Sequence, residues 1–166
     1  MKASSLRIVP ILAAVLLSAG CASLNPFASS AAKPAPLVDF TPSAELASVW
    51  RANIGEAGPY RFQPAVWSDA VFAASHDGDV ARFEGGGQVW RIDTDTRLSA
   101  GVGTDGRLAV VAATSGAVIA LDAATGSERW RAEVGAEVLA PPAVSLDLVV
   151  VRASDNRLIA LDARDG

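Results

Sequence analysis

With a single cysteine and a single histidine among its 166 residues, the chain can form no internal disulfide and offers no Cys/His cluster at metal-ligand spacing. The 14 Lys+Arg and 18 Asp+Glu give a net charge of −4 with no basic run anywhere, which argues against a nucleic-acid partner. Stability must come from burial and backbone ladders, for which a 51% hydrophobic composition is sufficient.

In chain order, the first element is an address. Met1–Arg7 carries two positive charges, Ile8–Leu17 is apolar, and the small residues Ser18, Ala19 and Gly20 precede Cys21. This is the layout of a secretory signal peptide. Ten apolar residues as a helix span roughly 15 Å, about half the hydrocarbon core of a bilayer, so residues 1–20 are expected to be removed rather than to stay as a transmembrane helix. Leu17-Ser18-Ala19-Gly20-Cys21 resembles a bacterial lipobox, with the departure that Leu stands four places before the cysteine instead of three. The resemblance implies a diacylglycerol anchor on Cys21, and Ala22 after it implies delivery to the outer membrane.

Ala22 to about Leu37 is mostly Ala, Ser and Pro without a hydrophobic period of 2 or 3.6, and residues 21–45 are read as a lipidated cysteine followed by a flexible tether. From residue 46 to 166 the pattern changes to a repeat. Trp50, Trp90 and Trp130 fall forty residues apart, each followed by Arg. Leu121-Asp122-Ala123-Ala124-Thr125-Gly126 returns forty residues later as Leu161-Asp162-Ala163-Arg164-Asp165-Gly166. Pro64-Ala65-Val66 and Pro142-Ala143-Val144 mark the start of two copies, while the middle copy, Gly101-Val102-Gly103-Thr104-Asp105, keeps the spacing and loses the proline. Repeats of this length signal solenoids or propellers.

Within a period, short runs such as Leu108–Ala113, Val118–Leu121 and Arg129–Val134 are rich in Val, Ile, Leu and Ala. Asp105-Gly106, Ser115-Gly116 and Thr125-Gly126 punctuate them, each placing a Gly where a tight turn uses positive φ. Four short antiparallel strands per forty residues predict an all-β propeller of four-stranded blades. HEAT and TPR repeats would show a 3.6 period with few glycines, and WD40 blades would end in Trp-Asp; neither pattern is present. With the strands of a blade lettered A to D from the channel outward, residues 47–54 are expected as a lone D strand. Complete blades are expected over about 64–92 and 101–134, and strands A to C over about 142–162. The repeat stops in mid-blade, so the sequence reads as the N-terminal part of a longer chain, with a further Trp expected near position 170. Two and three-quarter blades cannot close into a ring. Alone, they are expected to expose edge strands and to aggregate.

The stretch Ala120-Leu121-Asp122-Ala123-Ala124-Thr125-Gly126-Ser127-Glu128-Arg129-Trp130 resembles the tryptophan-docking motif of the PQQ-like, quinoprotein-type propellers. Its physics can be read from the residues: Asp122 and Thr125 can tie a turn to its own backbone, Gly126 supplies the bend, and Trp130 can lay an indole on the next blade. Trp50 and Trp90 are read in the same way, as core staples and not as ligand contacts. Before Trp90 the corner Phe83-Glu84-Gly85-Gly86-Gly87-Gln88-Val89 is two residues shorter and lacks the Asp, so it should be tied differently.

Lipobox, Ala/Pro tether, Trp50-Arg51-Ala52-Asn53-Ile54-Gly55, Phe62-Gln63-Pro64-Ala65-Val66 and Val71-Phe72-Ala73-Ala74 together resemble the BamB family. These are lipoprotein propellers of the outer-membrane β-barrel assembly machinery. The resemblance implies an eight-bladed, non-enzymatic scaffold on the periplasmic face of the outer membrane, bound to the periplasmic domains of BamA within the Bam complex, with no cofactor and no small-molecule substrate. The family's contacts with BamA lie largely in later blades, so no partner-binding residue is assigned. The rival class is a PQQ-dependent dehydrogenase, which would add a Glu/Asn/Asp calcium site, a catalytic Asp and often a Cys-Cys pair; a propeller binding another envelope partner is a third. Asp69, Asp77, Asp79, Asp93, Asp95 and Asp105 fall in turn-like positions and His76 beside Asp77-Gly78, which reads as capping and solvated loops, not ligands.

Overall fold

The structure is a computed structural model that describes residues 34–39 and 41–166. Residues 1–20, Cys21 and most of the tether lie outside the described residues. The chain divides into two compact units, Met1–Glu45 and Leu46–Gly166. In the first unit the described residues carry no helix or strand and are exposed.

The second unit is built only of strands and turns. Its first sheet has β1 (Ala65–Trp67), β2 (Ala70–Ala74), β3 (Asp79–Glu84) and β4 (Gly87–Asp93) side by side in that order. The second repeats the order with β5 (Gly103–Thr104), β6 (Leu108–Ala112), β7 (Ala117–Asp122) and β8 (Glu128–Glu133). The third holds β9 (Ala143–Val144), β10 (Leu148–Arg152) and β11 (Leu158–Asp162). Every pairing is antiparallel and joins strands adjacent in sequence, as tight turns allow and as long crossovers would not. These are the two four-stranded blades and the A to C strands expected from the repeat.

Burial explains why the middle blade reads as continuous apolar runs. Side chains alternate faces along a strand. Val111, Ile119 and Leu121 enter a core shared with Phe72, Val80 and Leu98, whereas Leu108, Val110 and Val118 enter a second core with Val138, Val149 and Val151. Both faces of blade two are therefore dry, and neither can alternate apolar with polar.

One sequence-based expectation needs correction. Residues 47–54 form no strand. A strand is defined by its ladder, and no C strand lies beside this segment among the described residues. It nevertheless occupies an outer-strand position: Arg91 Nη2 donates to Ile54 O at 3.2 Å, matching Arg131 Nη2 to Thr94 O at 3.2 Å one repeat later. The next turn agrees, because His76 N donates to Glu56 O at 2.8 Å as Thr114 N does to Arg97 O at 3.0 Å and Ser154 N to Glu137 O at 2.7 Å.

Candidate functional site: the seams between blades

Each seam starts from a local irregularity. The ladder between the third and fourth strands slips at Arg82/Phe83 in blade one and at Ala120/Leu121 in blade two, just beside Trp90 and Trp130. A bulge of this kind bends the strand and re-aims its side chains. Here it accompanies indoles that point out of their own sheet onto the next blade.

Trp90 donates its Nε1–H to Ala123 O at 3.1 Å, and Trp130 donates to Ala163 O at 3.0 Å, each partner lying 33 residues onward. The rings lie flat against the corner glycines. A Cβ at Gly126 would meet Trp90 Cε3 at 2.9 Å, and one at Gly166 would meet Trp130 Cε3 at 2.9 Å, while φ of +77° and +79° already disfavours any L side chain. Trp90 and Trp130 are 9% and 7% exposed, so burial of each ring contributes about 2–3 kcal/mol.

The corner beneath Trp90 is tied by Asp122. Its Oδ1 accepts from Ala124 N at 3.0 Å, Thr125 N at 2.9 Å and Thr125 Oγ1 at 3.1 Å, and its Oδ2 accepts from Arg129 at 2.5 Å. Arg129, and after it Thr125 and Ala124, hold the Asp122 carboxyl below the usual range against the opposing effect of burial. Asp162 repeats the arrangement with Arg164, which likewise depresses its carboxyl.

The first corner is built differently. Gly85 and Gly86, with φ of +54° and +85°, make the two-residue connection of a type I′ hairpin, and Glu84 is held by Arg82. Trp50 Cβ and Cγ would lie 2.9 Å from a Cβ on Gly86, and its ring stacks on Phe83 at 6.0 Å between centroids. Trp50 stays 42% exposed.

Several seam residues carried weaker signals in the sequence. Arg91 and Arg131 follow their tryptophans and reach back 37 residues to the preceding outer segment while Trp90 and Trp130 reach forward, so each Trp-Arg pair grips both neighbours. Arg91 also pairs with Asp79 at 2.7 Å, which lowers the Asp79 carboxyl, and Arg131 pairs with Glu128 at 2.8 Å. The glycines of the middle copy stand where neighbouring backbones pass. A Cβ on Gly101 would fall 2.4 Å from Gln63 O, and one on Gly103 would fall 1.8 Å from Pro142 O. Trp67, outside the forty-residue series, lies across Gly106, whose added Cβ would be 2.0 Å from the indole nitrogen.

The loop acids and His76 have local duties. Asp105 Oδ1 accepts from Arg107 N at 3.0 Å and Leu108 N at 2.8 Å, and Asp93 Oδ1 accepts from Asp95 N at 2.8 Å. Asp79 and Asp93 face each other at the ends of β3 and β4. His76 Nδ1 lies 2.7 Å from Leu98 O, which can only accept, so that nitrogen carries the proton. The Tyr60 ring packs on His76 at 5.0 Å, and its hydroxyl donates to Glu137 at 2.8 Å, which holds the phenol above its ordinary value. Among the described residues no three His, Cys, Asp or Glu side chains are grouped to hold a metal ion.

Comparison with known proteins places this geometry. The family model described as "Outer membrane protein assembly factor BamB" matches residues 76–166. The BamB of Burkholderia pseudomallei is 40% identical over 156 residues, covering 93% of this chain and 40% of the relative. That of Bordetella pertussis is 36% identical over 158 residues, covering 94% and 40%. The chain thus spans about 40% of the length of the curated relatives it matches. The crystal structure of BamB from Moraxella catarrhalis superposes with a TM-score of 0.61 at 36% identity, covering 63% of this chain and 32% of that one. The computationally designed protein Ika4, at 16% identity and a TM-score of 0.59, shares the fold alone. Repeat, blade order and family match agree: the chain is a β-propeller segment that belongs to the BamB family of outer membrane protein assembly factors.

Proposed function

We propose that the chain is the N-terminal part of a lipid-anchored, non-enzymatic scaffold that assists the folding and insertion of β-barrel proteins at the outer membrane. The observation that carries this reading is the family match across residues 76–166, joined to relatives that are themselves named assembly factors. Residues 1–20 act as the signal peptide, Cys21 carries the lipid, residues 21–45 give the body reach from the bilayer, and residues 46–166 begin a ring of eight blades. The partner is the periplasmic part of BamA within the Bam complex.

Trp50, Trp90 and Trp130 are structural staples in this reading, and Asp122, Thr125 and Gly126 shape the corner on which Trp90 rests. Support comes from how completely the chain's own residues engage these groups: both inward indoles end on backbone carbonyls, and Asp79 and Asp122 end on arginines of their own blades. The fold by itself hosts scaffolds and enzymes alike, so the choice of a scaffold rests on the family match.

Two experiments test the reading. The full-length lipoprotein, pulled from solubilised outer membrane, should bring BamA with it; recovery of no barrel-assembly subunit overturns the assignment. Cys21→Ser should abolish labelling by radioactive palmitate and release the protein from membranes; a mutant that still labels and stays membrane-bound overturns the anchor.

A further inference from the structure

The loop that enters blade one is longer than its two successors. Ten steps separate Ile54 from Pro64, against eight from Thr94 to Val102 and eight from Val134 to Pro142. In each pair the first residue offers its carbonyl to an arginine of the next blade and the second precedes an inner strand. The extra length comes with Gly58-Pro59-Tyr60. Tyr60 N donates to Ala57 O at 3.2 Å, Gly58 takes φ of +57° at the first central position and Pro59 fixes the second, which makes a turn of type II′.

The segment around this turn is seated at several points. A Cβ on Gly55 would lie 2.9 Å from Ser75 Cβ, and one on Gly58 would lie 3.1 Å from His76 Cδ2. Phe62 packs on the core between blades one and two, and Gln63 O would lie 2.4 Å from a Cβ on Gly101. Tyr60 rests on His76 and donates to Glu137 Oε1 at 2.8 Å. That bond is unlike the others. Tyr60 and Glu137 stand 77 residues apart, whereas every other hydrogen bond between blades among the described residues spans 41 or fewer. The indoles and arginines of the seams join neighbours; Tyr60 skips the loop of blade two, residues 94–102, and ends on the loop of blade three.

His76 ties in the skipped loop. Its N donates to Glu56 O at 2.8 Å, its O accepts from Leu98 N at 3.0 Å, and its Nδ1–H donates to Leu98 O at 2.7 Å. Glu137 is fixed in turn, since its O accepts from Ser154 N at 2.7 Å. One connected set of bonds therefore runs through the loops of three blades. We propose that residues 55–63 form a strap that couples blade one to blade three across blade two, with His76 as its seat and the Tyr60–Glu137 bond as its buckle. Two seams in series add their slack, whereas a direct chord fixes the tilt of the first blade against the third. A bond from a hydroxyl to a carboxylate is charge-assisted and stronger than a neutral one, which suits a buckle that must hold while half-exposed. The strap is independent of any role in barrel assembly.

The test uses the full-length lipoprotein and amide hydrogen exchange, read by mass spectrometry on peptides covering His76, Leu98 and Ser154. Their N–H groups close the links on blades one, two and three. Tyr60→Phe keeps the ring on His76 and removes only the buckle. Exchange in all three peptides should rise about tenfold, as loss of a hydrogen bond to a charged acceptor allows. Glu137→Ala should match it, and the double variant should be no faster than either single one. Glu137→Gln, which keeps an accepting oxygen without the charge, should fall between the parent and Glu137→Ala. Acceleration that spares Leu98 or Ser154 would mean that Tyr60 serves its own blade alone, and would overturn the proposal. So would a double variant in which the two single effects multiply. If Tyr60→Phe also quickens peptides from the buried strand β7, the sign of general loosening, Glu137→Gln decides. Faster exchange at His76 with β7 unchanged supports the strap, and no change at His76 overturns it.

Discussion

Blades two and three have the same ladder and opposite environments. Leu108–Ala112 pairs with Val118–Asp122 in the register by which Leu148–Arg152 pairs with Leu158–Asp162. Their corners share the Leu-Asp-Ala motif, and both place the Ala carbonyl under an indole. Yet every residue of β6 is buried, whereas β10 alternates buried with open positions and β11 has none buried. Local sequence therefore sets strand, register and corner, and the neighbouring blade sets burial. A blade is half a folding unit whose stability belongs to its seams.

The largest effect that would sharpen this contrast is expected at Gly103. Alanine there drives a Cβ into Pro142 O and within 3.2 Å of Val144 Cγ2, and the nearer obstacle is backbone, which cannot rotate away. We expect a loss of about 3 kcal/mol, read as a lower denaturant midpoint, where an open surface site would lose almost nothing. Next comes a matched pair. Val118→Ala, fully buried on the face of blade two that blade three covers, should cost about 2 kcal/mol, while the equivalent Leu158→Ala, 74% exposed on the open face of blade three, should cost under about 1 kcal/mol. Equal losses would break the claim that burial follows the neighbour.

Trp130→Phe keeps most of the apolar surface and removes the bond to Ala163 O, so about 1–2 kcal/mol should be lost. Trp50→Phe, whose indole nitrogen makes no hydrogen bond among the described residues, should be nearly neutral in the same melts. The smallest effect concerns Asp122. Its carboxyl titrates lower in the folded state than in the unfolded chain, so its contribution is complete above the unfolded value near pH 4 and is lost as pH falls through the native value. The ion pair is partly exposed, and Asp122→Asn should cost only about 0.5 kcal/mol at neutral pH, with a visibly flatter acid limb in a plot of stability against pH.

The repeat, the blade boundaries and the corners were legible because they depend on residues close in sequence: an Asp that caps its own turn, a Gly that turns the chain, an indole at fixed spacing. The fate of residues 47–54 was not, since the ladder that defines a strand needs a partner the local sequence does not contain. The glycines at 101 and 103 were visible in the middle copy but had no local cause; the reason is the approach of Gln63 and Pro142 from neighbouring blades. The double duty of Arg91 and Arg131 escaped for a similar reason. Their position after each Trp was plain, whereas their acceptors lie 37 residues back and appear only when blades are stacked. The short first corner was expected to be tied differently, and the Gly85-Gly86 turn with Trp50 stacked on Phe83 is the form this takes.

The account stands on indoles that bind the next blade's corner, and hydrogen exchange of the four indole N–H groups by NMR reads that directly. Trp90 and Trp130, closed against Ala123 O and Ala163 O, should exchange orders of magnitude more slowly than Trp50 and Trp67, which are 42% and 51% exposed. Four signals exchanging at one common rate would contradict it.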